Sequence, residues 1–143
     1  MKPLIRAAQD SDLDAILALE AAFAPTERWS RQSWGEELNH CHVLVAHQPA
    51  VVAVASFRLI VDEVELDSVV VAGHCRRTGL ATRLISEGMK WAKSQGAGRM
   101  LLEVALDNEA ASNLYSKLGF VKLSRRKNYY GSGRDALVMT KDL

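Results

Sequence analysis

The sequence has few features of secreted or membrane-spanning proteins. Its two cysteines, Cys41 and Cys75, are too few for a disulfide framework and lack C-x-x-C spacing, so reduced thiols are expected. No apolar run approaches the ~20 residues of a membrane span, and the residues after Met1 lack the hydrophobic region of a secretory signal. These absences predict a cytoplasmic protein with no membrane partner.

The sequence also lacks an excess of charge of either sign, because 18 basic and 17 acidic residues leave a net charge of +1. A balanced surface argues against a nucleic-acid partner. The one basic cluster, Arg125-Arg126-Lys127, is short, and it favours a solvated loop or the rim of a substrate site over nucleic-acid binding. No metal is expected, since His40 and His42 lack the i, i+4 spacing and the carboxylate of a zinc site.

The order of hydrophobic patterns predicts one α/β domain over residues 1–143, with a mixed sheet. Its composition, 48% hydrophobic and 24% charged, is that of a globular chain with a real core. Strands are predicted at Leu4–Ala7, His42–His47, Val51–Leu59, Val64–Val71, Arg99–Leu106, Phe120–Arg126 and Ala136–Lys141. Helices are predicted from Asp10-Ser11-Asp12 to Ala24-Pro25, after Ser30, from about Thr78 to Gln95-Gly96, and over Glu109–Leu118.

One loop, Arg76-Arg77-Thr78-Gly79-Leu80-Ala81, leads from an apolar strand into an amphipathic helix. The first backbone N–H groups of a helix have no intrahelical partner, so a phosphate group can bind several of them together. Gly79 allows close approach of the backbone, and the two arginines add donors. The loop therefore favours a pyrophosphate, although a helix that starts with two solvated arginines is the alternative. Neither a P-loop nor a Rossmann glycine motif is present.

This loop resembles the [QR]-x-x-G-x-[GA] signature of the GCN5-related N-acetyltransferases (GNAT). Further motifs follow in that family's order and spacing: Leu102-Glu103-Val104, Asn108, Asn113-Leu114-Tyr115 and Leu118-Gly119-Phe120. The tail, Arg126 to Tyr130 and Gly133 to Met139, is similar to the RimI-type branch, which acetylates the N-terminal alanine of a small-subunit ribosomal protein. The resemblance covers nearly the whole chain. It implies a mostly antiparallel sheet of about six or seven strands, about four helices and splayed central strands.

The resemblance also implies acetyl-coenzyme A as co-substrate, with its pyrophosphate at residues 76–81. Its pantetheine would lie along Val69, Val70 and Val71, where the N–H of Val69 or Val71 would polarise the thioester carbonyl. Tyr115 would contribute to the same site, and Asn108 would either bind the coenzyme or cap the helix that follows it. A backbone that splays from its neighbour has free N–H and C=O groups for this purpose.

Amide formation from an amine needs a base and an acid, and two residues suit these roles. Glu103 lies in an apolar strand, where a carboxylate needs a polar cavity or a partner, so it is the candidate base. A strand-end glutamate in solvent is the alternative. Tyr115 matches the family's general acid, since a phenol of pKa ~10 can protonate a thiolate whose conjugate acid has a pKa of ~8.5. A core tyrosine with its hydroxyl bonded elsewhere is the alternative.

Several residues are candidates for binding the acceptor substrate. Trp29 lies in a segment similar to the P-W-S segment of RimI-type enzymes, although the proline is displaced. Glu65 and Asp67 share one face of their strand, so they either line a channel for a cationic acceptor or form an outward polar face. Asn128, Tyr129 and Tyr130 would either surround a peptide N-terminus or pack a loop. The chain departs from the RimI pattern at Asp67-Ser68, Ala105 and Asp107.

These observations predict an N-acetyltransferase that transfers acetyl directly to a primary amine in a ternary complex. The expected acceptor is the N-terminal α-amine of a protein, and a small amine or amino acid is the alternative. A coenzyme A-binding sensor or interaction module without catalysis is the competitor from another class. The protein is expected to be a monomer or a weak homodimer.

Overall fold

The computed structural model of the protein describes residues 2–23 and 28–143. Within these ranges it has seven strands: β1 (Leu4–Ala7), β2 (His42–His47), β3 (Val51–Ile60), β4 (Glu63–Val71), β5 (Arg99–Ala105), β6 (Val121–Arg126) and β7 (Ala136–Asp142). Its α-helices are α1 (Leu13–Glu20), α2 (Arg31–His40), α3 (Leu80–Ser94) and α4 (Glu109–Lys117). No helix in these ranges has both the length and the hydrophobicity needed to cross a bilayer.

The strands hydrogen-bond in the order β1-β2-β3-β4-β5-β7-β6. β4 and β5 are parallel, whereas β2 is antiparallel to both β1 and β3, and β7 is antiparallel to both β5 and β6. The parallel ladder ends at the pair Leu66 and Leu102, although β4 continues to Val71. The ladder therefore stops before the residues that were expected to splay. The predicted α/β fold with a mixed, mostly antiparallel sheet is confirmed.

The chain forms two compact units. The first unit consists of Met1–Arg58 and Ser68–Gly88, and the second consists of Leu59–Asp67 and Met89–Leu143. The assignment of residues 1–143 to a single domain stays a prediction.

Helices α1 and α2 bury their apolar faces in the first unit, as their spacing predicts. The core side chains there are Ile16, Leu19, Trp34, Val43, Val45, Val54 and Val70. Helix α2 begins after Ser30, whose hydroxyl accepts a hydrogen bond from the N–H of Ser33 at 3.0 Å. Before α1, two hydrogen bonds from the Arg6 guanidinium hold the pKa of Asp12 below its usual range. Helix α1 ends at Glu20, where Ala21 is its C-cap, so the prediction that it continues to Ala24-Pro25 is wrong; Ala24 and Pro25 themselves lie outside the described residues.

A glycine allows α3 to pack directly on β3 within the first unit. A Cβ atom built on Gly88 would lie 2.1 Å from Cζ of Phe57. The Phe57 side chain is completely buried, so its ring has no free space into which it could move. Helix α3 therefore has a glycine at this position because any side chain would collide with the ring.

Replacing Gly88 by alanine is expected to lower the free energy of unfolding by ~1–3 kcal/mol, because the added methyl group overpacks the core. Gly35 provides a matched control in α2, since a Cβ there meets no heavy atom within 4 Å. Gly35→Ala should raise the free energy of unfolding by ~0.5–1 kcal/mol through helix propensity. Urea denaturation of both variants measures the effects, and equal stability of the two variants would contradict the packing argument.

In the second unit, β5 alternates between a buried face and a partly exposed one. Met100, Leu102 and Val104 are buried, whereas Glu103 lies on the opposite face. The registers of β4, β7 and β6 place Glu65, Val138, Ala136 and Arg126 on the same side as Glu103. We call this side the Glu103 face.

Most predicted element boundaries agree with the structure to within one residue. Two helices are exceptions, because α1 ends at Glu20 rather than at Ala24-Pro25 and α3 begins at Leu80 rather than at about Thr78. Arg77 and Gly79 have φ values of 62° and 80°, which no right-handed helix contains, so the backbone becomes helical only after them. The predicted glycine stops are present, with Gly96 after α3 and Gly119 after α4, both at positive φ.

Candidate active site

The loop of residues 76–81 lies in the first unit between β4 and α3. Arg76 and Arg77 are both exposed, and the Arg76 Nε atom lies 3.5 Å from the carbonyl oxygen of Val71. The hydroxyl of Thr78 donates to the carbonyl of Cys75, which closes the turn. The carbonyl of Gly79 accepts the hydrogen bond that begins the helix, from the N–H of Arg83 at 3.0 Å.

This loop presents a row of free donors. The backbone N–H groups of residues 77–82 donate to no acceptor in the part of the chain that the structure describes. They precede a helix of 15 residues, where the macrodipole adds partial positive charge. A Cβ on Gly79 would meet nothing within 4 Å, so the space in front of this glycine is open. The arrangement fits a phosphate or pyrophosphate group, as the sequence motif predicts.

The strand before this loop carries the residues predicted to bind pantetheine. Val70 is 3% exposed and belongs to the core of the first unit, whereas Val69 and Val71 are half-buried. Their role in coenzyme binding stays a prediction. Leu80 is buried and Ala81 half-buried, so within the motif these two residues anchor the helix start rather than offer side chains to a ligand.

Glu103 is the most distinctive group on the Glu103 face. Its side chain is 29% exposed, and its Oε1 atom accepts a hydrogen bond from Nη1 of Arg126 at 2.7 Å. Its Oε2 atom is buried and has no hydrogen-bond partner in the described structure. A buried carboxylate oxygen without a donor is costly, and such atoms are concentrated at functional sites. This oxygen is available to accept a proton from a bound group.

Tyr115 lies in α4 of the same unit, with its side chain in the core. It is 8% exposed and packs edge-on against Phe120, with ring centroids 6.0 Å apart. Burial, with a smaller contribution from the nearby Tyr130, raises the pKa of Tyr115 to about 12. Its hydroxyl makes no hydrogen bond within the described ranges. Tyr115 is thus a core tyrosine, which is one part of the alternative interpretation. Its hydroxyl, however, is protonated and makes no hydrogen bond in the described structure.

The raised pKa of Tyr115 makes stability depend on alkaline pH. The neutral phenol is favoured in the folded state, so its contribution is complete below pH ~10 and is lost as the pH rises towards about 12. At pH 11 this loss amounts to about 1 kcal/mol. Tyr115→Phe should therefore lose less stability than the parent between pH 8 and pH 11 in urea unfolding. Parallel pH profiles for the two proteins would show that the hydroxyl is solvated in the folded state.

The β6–β7 loop, residues 127–135, is held by its own side chains. The carboxylate of Asp135 accepts hydrogen bonds from Arg125 and from the N–H of Asn128, and the side chain of Asn128 accepts one from the N–H of Gly133 at 2.7 Å. Asn128, at φ 55°, therefore organises the loop. Its predicted contact with a substrate is not tested by this geometry, but its Oδ1 atom is already engaged.

This loop carries the exposed pair Tyr129 and Tyr130, whose ring centroids are 5.0 Å apart. The Arg126 guanidinium lies 4.3 Å from the Tyr129 ring centroid. Hydrogen bonding to Glu103 is the main cause that raises the pKa of Tyr129, and a smaller part comes from the charge of Glu65. Glu65 is exposed, and both acidic side chains thus face the same aromatic group.

The remaining predicted residues have defined partners. Asn108 caps α4 by accepting from the N–H of Ala111 at 3.2 Å, which confirms the capping role, while its contact with coenzyme stays a prediction. In the first unit, the rings of Trp29 and Trp34 lie 4.9 Å apart. Buried Glu20 accepts from the Trp29 N–H and the Trp34 indole. Asp67 is half-buried on β4.

Sequence reasoning missed two arginines of the second unit. Arg126 binds Glu103, and Arg134 binds Asp107 at 3.2 Å, which lowers the pKa of that carboxyl. The departure from the RimI pattern at Asp107 therefore adds a paired charge rather than a free one. The tail resemblance includes both arginines, but their partners are more than 20 residues away, so no local pattern reveals these pairs.

Comparisons with known proteins agree with this fold. A model of the acetyltransferase (GNAT) family matches residues 7–120. The chain is 29% identical to the ribosomal protein bS18-alanine N-acetyltransferase of Escherichia coli (strain K12), with 94% of each chain covered. The crystal structure of that type of enzyme from E. coli matches with a TM-score of 0.89 and 26% identity, over 97% of this chain and 92% of the other. The ribosomal-protein-alanine N-acetyltransferase of Brucella melitensis matches with a TM-score of 0.83 and 28% identity, over 98% and 99%.

The family model covers most of the chain, and these relatives match it over nearly its full length. The resemblance stated from the sequence motifs is confirmed. The protein belongs to the GNAT family of acetyltransferases, as an N-acetyltransferase similar to the ribosomal-protein-alanine enzymes.

Proposed function

We propose that the protein transfers acetyl directly from acetyl-coenzyme A to the N-terminal α-amine of a protein, with Glu103 as general base and Tyr115 as general acid. The observation that carries this proposal is the buried, unpartnered Oε2 atom of Glu103. The names of the relatives support, as the acceptor, a protein whose N-terminal residue is alanine.

The coenzyme has candidate binding residues in the first unit. The free N–H groups of residues 77–82 would bind the pyrophosphate, and the exposed guanidiniums of Arg76 and Arg77 would add charge-assisted hydrogen bonds. Val69, Val70 and Val71 are proposed to bind the pantetheine amides through their backbone. Bound in this way, acetyl-coenzyme A supplies an activated thioester.

Two side chains then move the protons. Glu103 accepts a proton from the acceptor ammonium at Oε2, directly or through water, and leaves a neutral amine that attacks the thioester carbonyl carbon. The backbone N–H of Val69 or Val71 would stabilise the oxyanion. The nitrogen loses its second proton to water, and the C–S bond breaks as Tyr115 donates its hydroxyl proton to the sulfur. Solvent reprotonates Tyr115 and accepts the proton of Glu103, so one proton is released per acetyl group transferred.

The Glu103 face suits a cationic acceptor. Glu65 and Glu103 both act electrostatically on Tyr129, and Tyr129 and Tyr130 are exposed beside them. Carboxylates and aromatic rings together attract an ammonium group. Asp107 contributes little to this attraction because Arg134 neutralises it, and Arg126 likewise offsets part of the charge of Glu103, so Glu65 contributes most of it. Trp29 and Asp67 are proposed to contact the acceptor as well.

The test is thiol release from acetyl-coenzyme A with the purified protein. Its acceptors would be N-terminal hexapeptides, free amino acids and polyamines, with a control that lacks an acceptor. Peptides, above all those that start with alanine, are expected to give the highest kcat/KM. Turnover with small amines alone would replace the protein acceptor by a small-molecule one. Coenzyme binding without any turnover would favour a sensor or interaction module.

Gly79→Ala should weaken the binding of coenzyme A by about 10-fold, because alanine at φ +80° is strained by ~1–2 kcal/mol and distorts the donor row. Gly73→Ala is a matched control from the preceding turn, since Gly73 is not at positive φ and a Cβ there meets nothing within 4 Å. Isothermal titration calorimetry gives both affinities. Wild-type affinity in folded Gly79→Ala would remove the loop from the coenzyme site.

A further inference from the structure

Three side chains of the second unit form a closed triangle on the Glu103 face. Nη1 of Arg126 donates to Oε1 of Glu103 at 2.7 Å. The same guanidinium lies 4.3 Å from the ring centroid of Tyr129. Tyr129 lies close enough to Glu103 for this carboxylate to be the main cause of its raised pKa. Arg126 therefore contacts both other members, although the three positions are spread over β5, β6 and the β6–β7 loop.

The contact between Arg126 and Glu103 spans a whole strand. Glu103 pairs with Val138 of β7, and Arg126 pairs with Ala136 of the same strand. Directly paired residues point to the same side of a sheet, so the arginine reaches across β7 above Ala136. Ala136 has the smallest chiral side chain, which leaves room for the guanidinium to pass. The ion pair is thus built into the strand register.

The two oxygens of Glu103 consequently have different environments. Oε1 is fixed by a charged donor, whereas Oε2 is buried without any donor in the described structure. A carboxylate that was merely solvated, or merely part of a surface ion pair, would not leave one oxygen buried and unpaired. The hydrogen bond to Oε1 restrains the side chain, and Oε2 is the atom left without a partner in the described structure.

We propose that Arg126 is a positioning residue for the general base. By binding Oε1 it fixes the carboxylate so that Oε2 accepts the proton, and Tyr129 supports the guanidinium from its ring face. This inference rests on the proposed role of Glu103 and adds a residue that the motif-level resemblance does not assign. It assigns the loop tyrosine Tyr129 a supporting role in catalysis in addition to any contact with the acceptor.

The test compares Arg126→Gln with Arg126→Lys and separates kcat from KM. The glutamine variant is expected to lose about 10–100-fold in kcat, because a base displaced by about 1 Å loses its alignment with the amine. KM for acetyl-coenzyme A should stay unchanged. Lysine keeps the charge without the planar fork, so it should recover part of the lost kcat. Guanidinium chloride should raise the turnover of Arg126→Gly above that seen with sodium chloride at equal ionic strength.

Arg99→Gln is the control for the loss of an ion-paired surface arginine. Arg99 pairs with Glu63 at 2.6 Å and is 40% exposed, compared with 53% for Arg126. This variant should keep the parental kcat. Parental kcat in Arg126→Gln, or a loss confined to KM for the coenzyme, would overturn the positioning role. If Glu103→Gln also kept full turnover, the proposed base itself would be wrong, whereas an inactive Glu103→Gln beside an active Arg126→Gln would overturn this inference alone.

Discussion

Replacing Glu103 by glutamine is expected to reduce kcat by about 10²–10⁴-fold, the range typical of losing a general base. The amide has nearly the shape of the carboxylate but cannot accept the proton of an ammonium ion at neutral pH. Coenzyme A binding should stay unchanged, because its proposed binding groups lie in residues 69–71 and 76–82 rather than at Glu103. Steady-state turnover and calorimetric coenzyme binding, measured on the same preparation, check both parts.

Glu63→Gln is the matched control for this experiment. Glu63 is also a partly buried glutamate of the second unit, 35% exposed, and it pairs with Arg99 as Glu103 pairs with Arg126. It should keep parental turnover. Measurement at high pH is a second check. An acceptor amine that is already neutral needs no base, so the kcat of Glu103→Gln should come closer to the parental kcat. Full activity of Glu103→Gln at neutral pH would refute the mechanism.

Replacing Tyr115 by phenylalanine is expected to reduce kcat by about 10²-fold, because the leaving sulfur loses its proton donor. The fold should tolerate the change, since the hydroxyl makes no hydrogen bond in the described structure and the ring packing on Phe120 is kept. A donor whose thiol is more acidic than that of coenzyme A should reduce the difference between variant and parent, because a more stable thiolate needs no proton. A deficit that is equal for all donors would assign Tyr115 a packing role.

The pKa of about 12 changes how this acid must act. Full proton transfer from Tyr115 to a solvated thiolate would be uphill by more than three pKa units, which is about 5 kcal/mol. Burial that disfavours the phenolate also disfavours a thiolate in the same environment, so the two pKa values rise together. We therefore expect Tyr115 to stabilise the developing negative charge first as a hydrogen-bond donor, with the proton following as the C–S bond breaks.

Local patterns predicted most of the fold because each element carries its own signals. The alternation in β5 places Glu103 opposite the buried Met100, Leu102 and Val104, and Ser30 and Asn108 cap helices as their side chains suggest. The start of α3 differs because Arg77 has a left-handed backbone, which arginine rarely adopts and no propensity rule anticipates.

For the candidate site, the sequence predicts only those residues that lie in recognisable motifs. Glu103 and Tyr115 lie in recognisable segments, but the environment that gives them chemistry comes from distant residues. Arg126 reaches Glu103 only because β7, the last strand of the chain, pairs between β5 and β6. Asn128 illustrates the reverse case, since its type suggests a ligand contact while its side-chain Oδ1 atom accepts a hydrogen bond from the N–H of Gly133 within its own loop.

The contact between Gly88 and Phe57 limits how the sequence can vary. The ring lies where a side chain at position 88 would begin, so the two positions share one fixed volume. A larger residue at position 88 is compatible with this packing only when position 57 carries a smaller one. We therefore expect the two positions to change together among relatives, and Phe57→Leu to suppress the defect of Gly88→Ala. The same helix begins with the donor row of residues 77–82. We therefore expect the methyl group that Gly88→Ala adds to the core also to change the affinity of the helix start for coenzyme A.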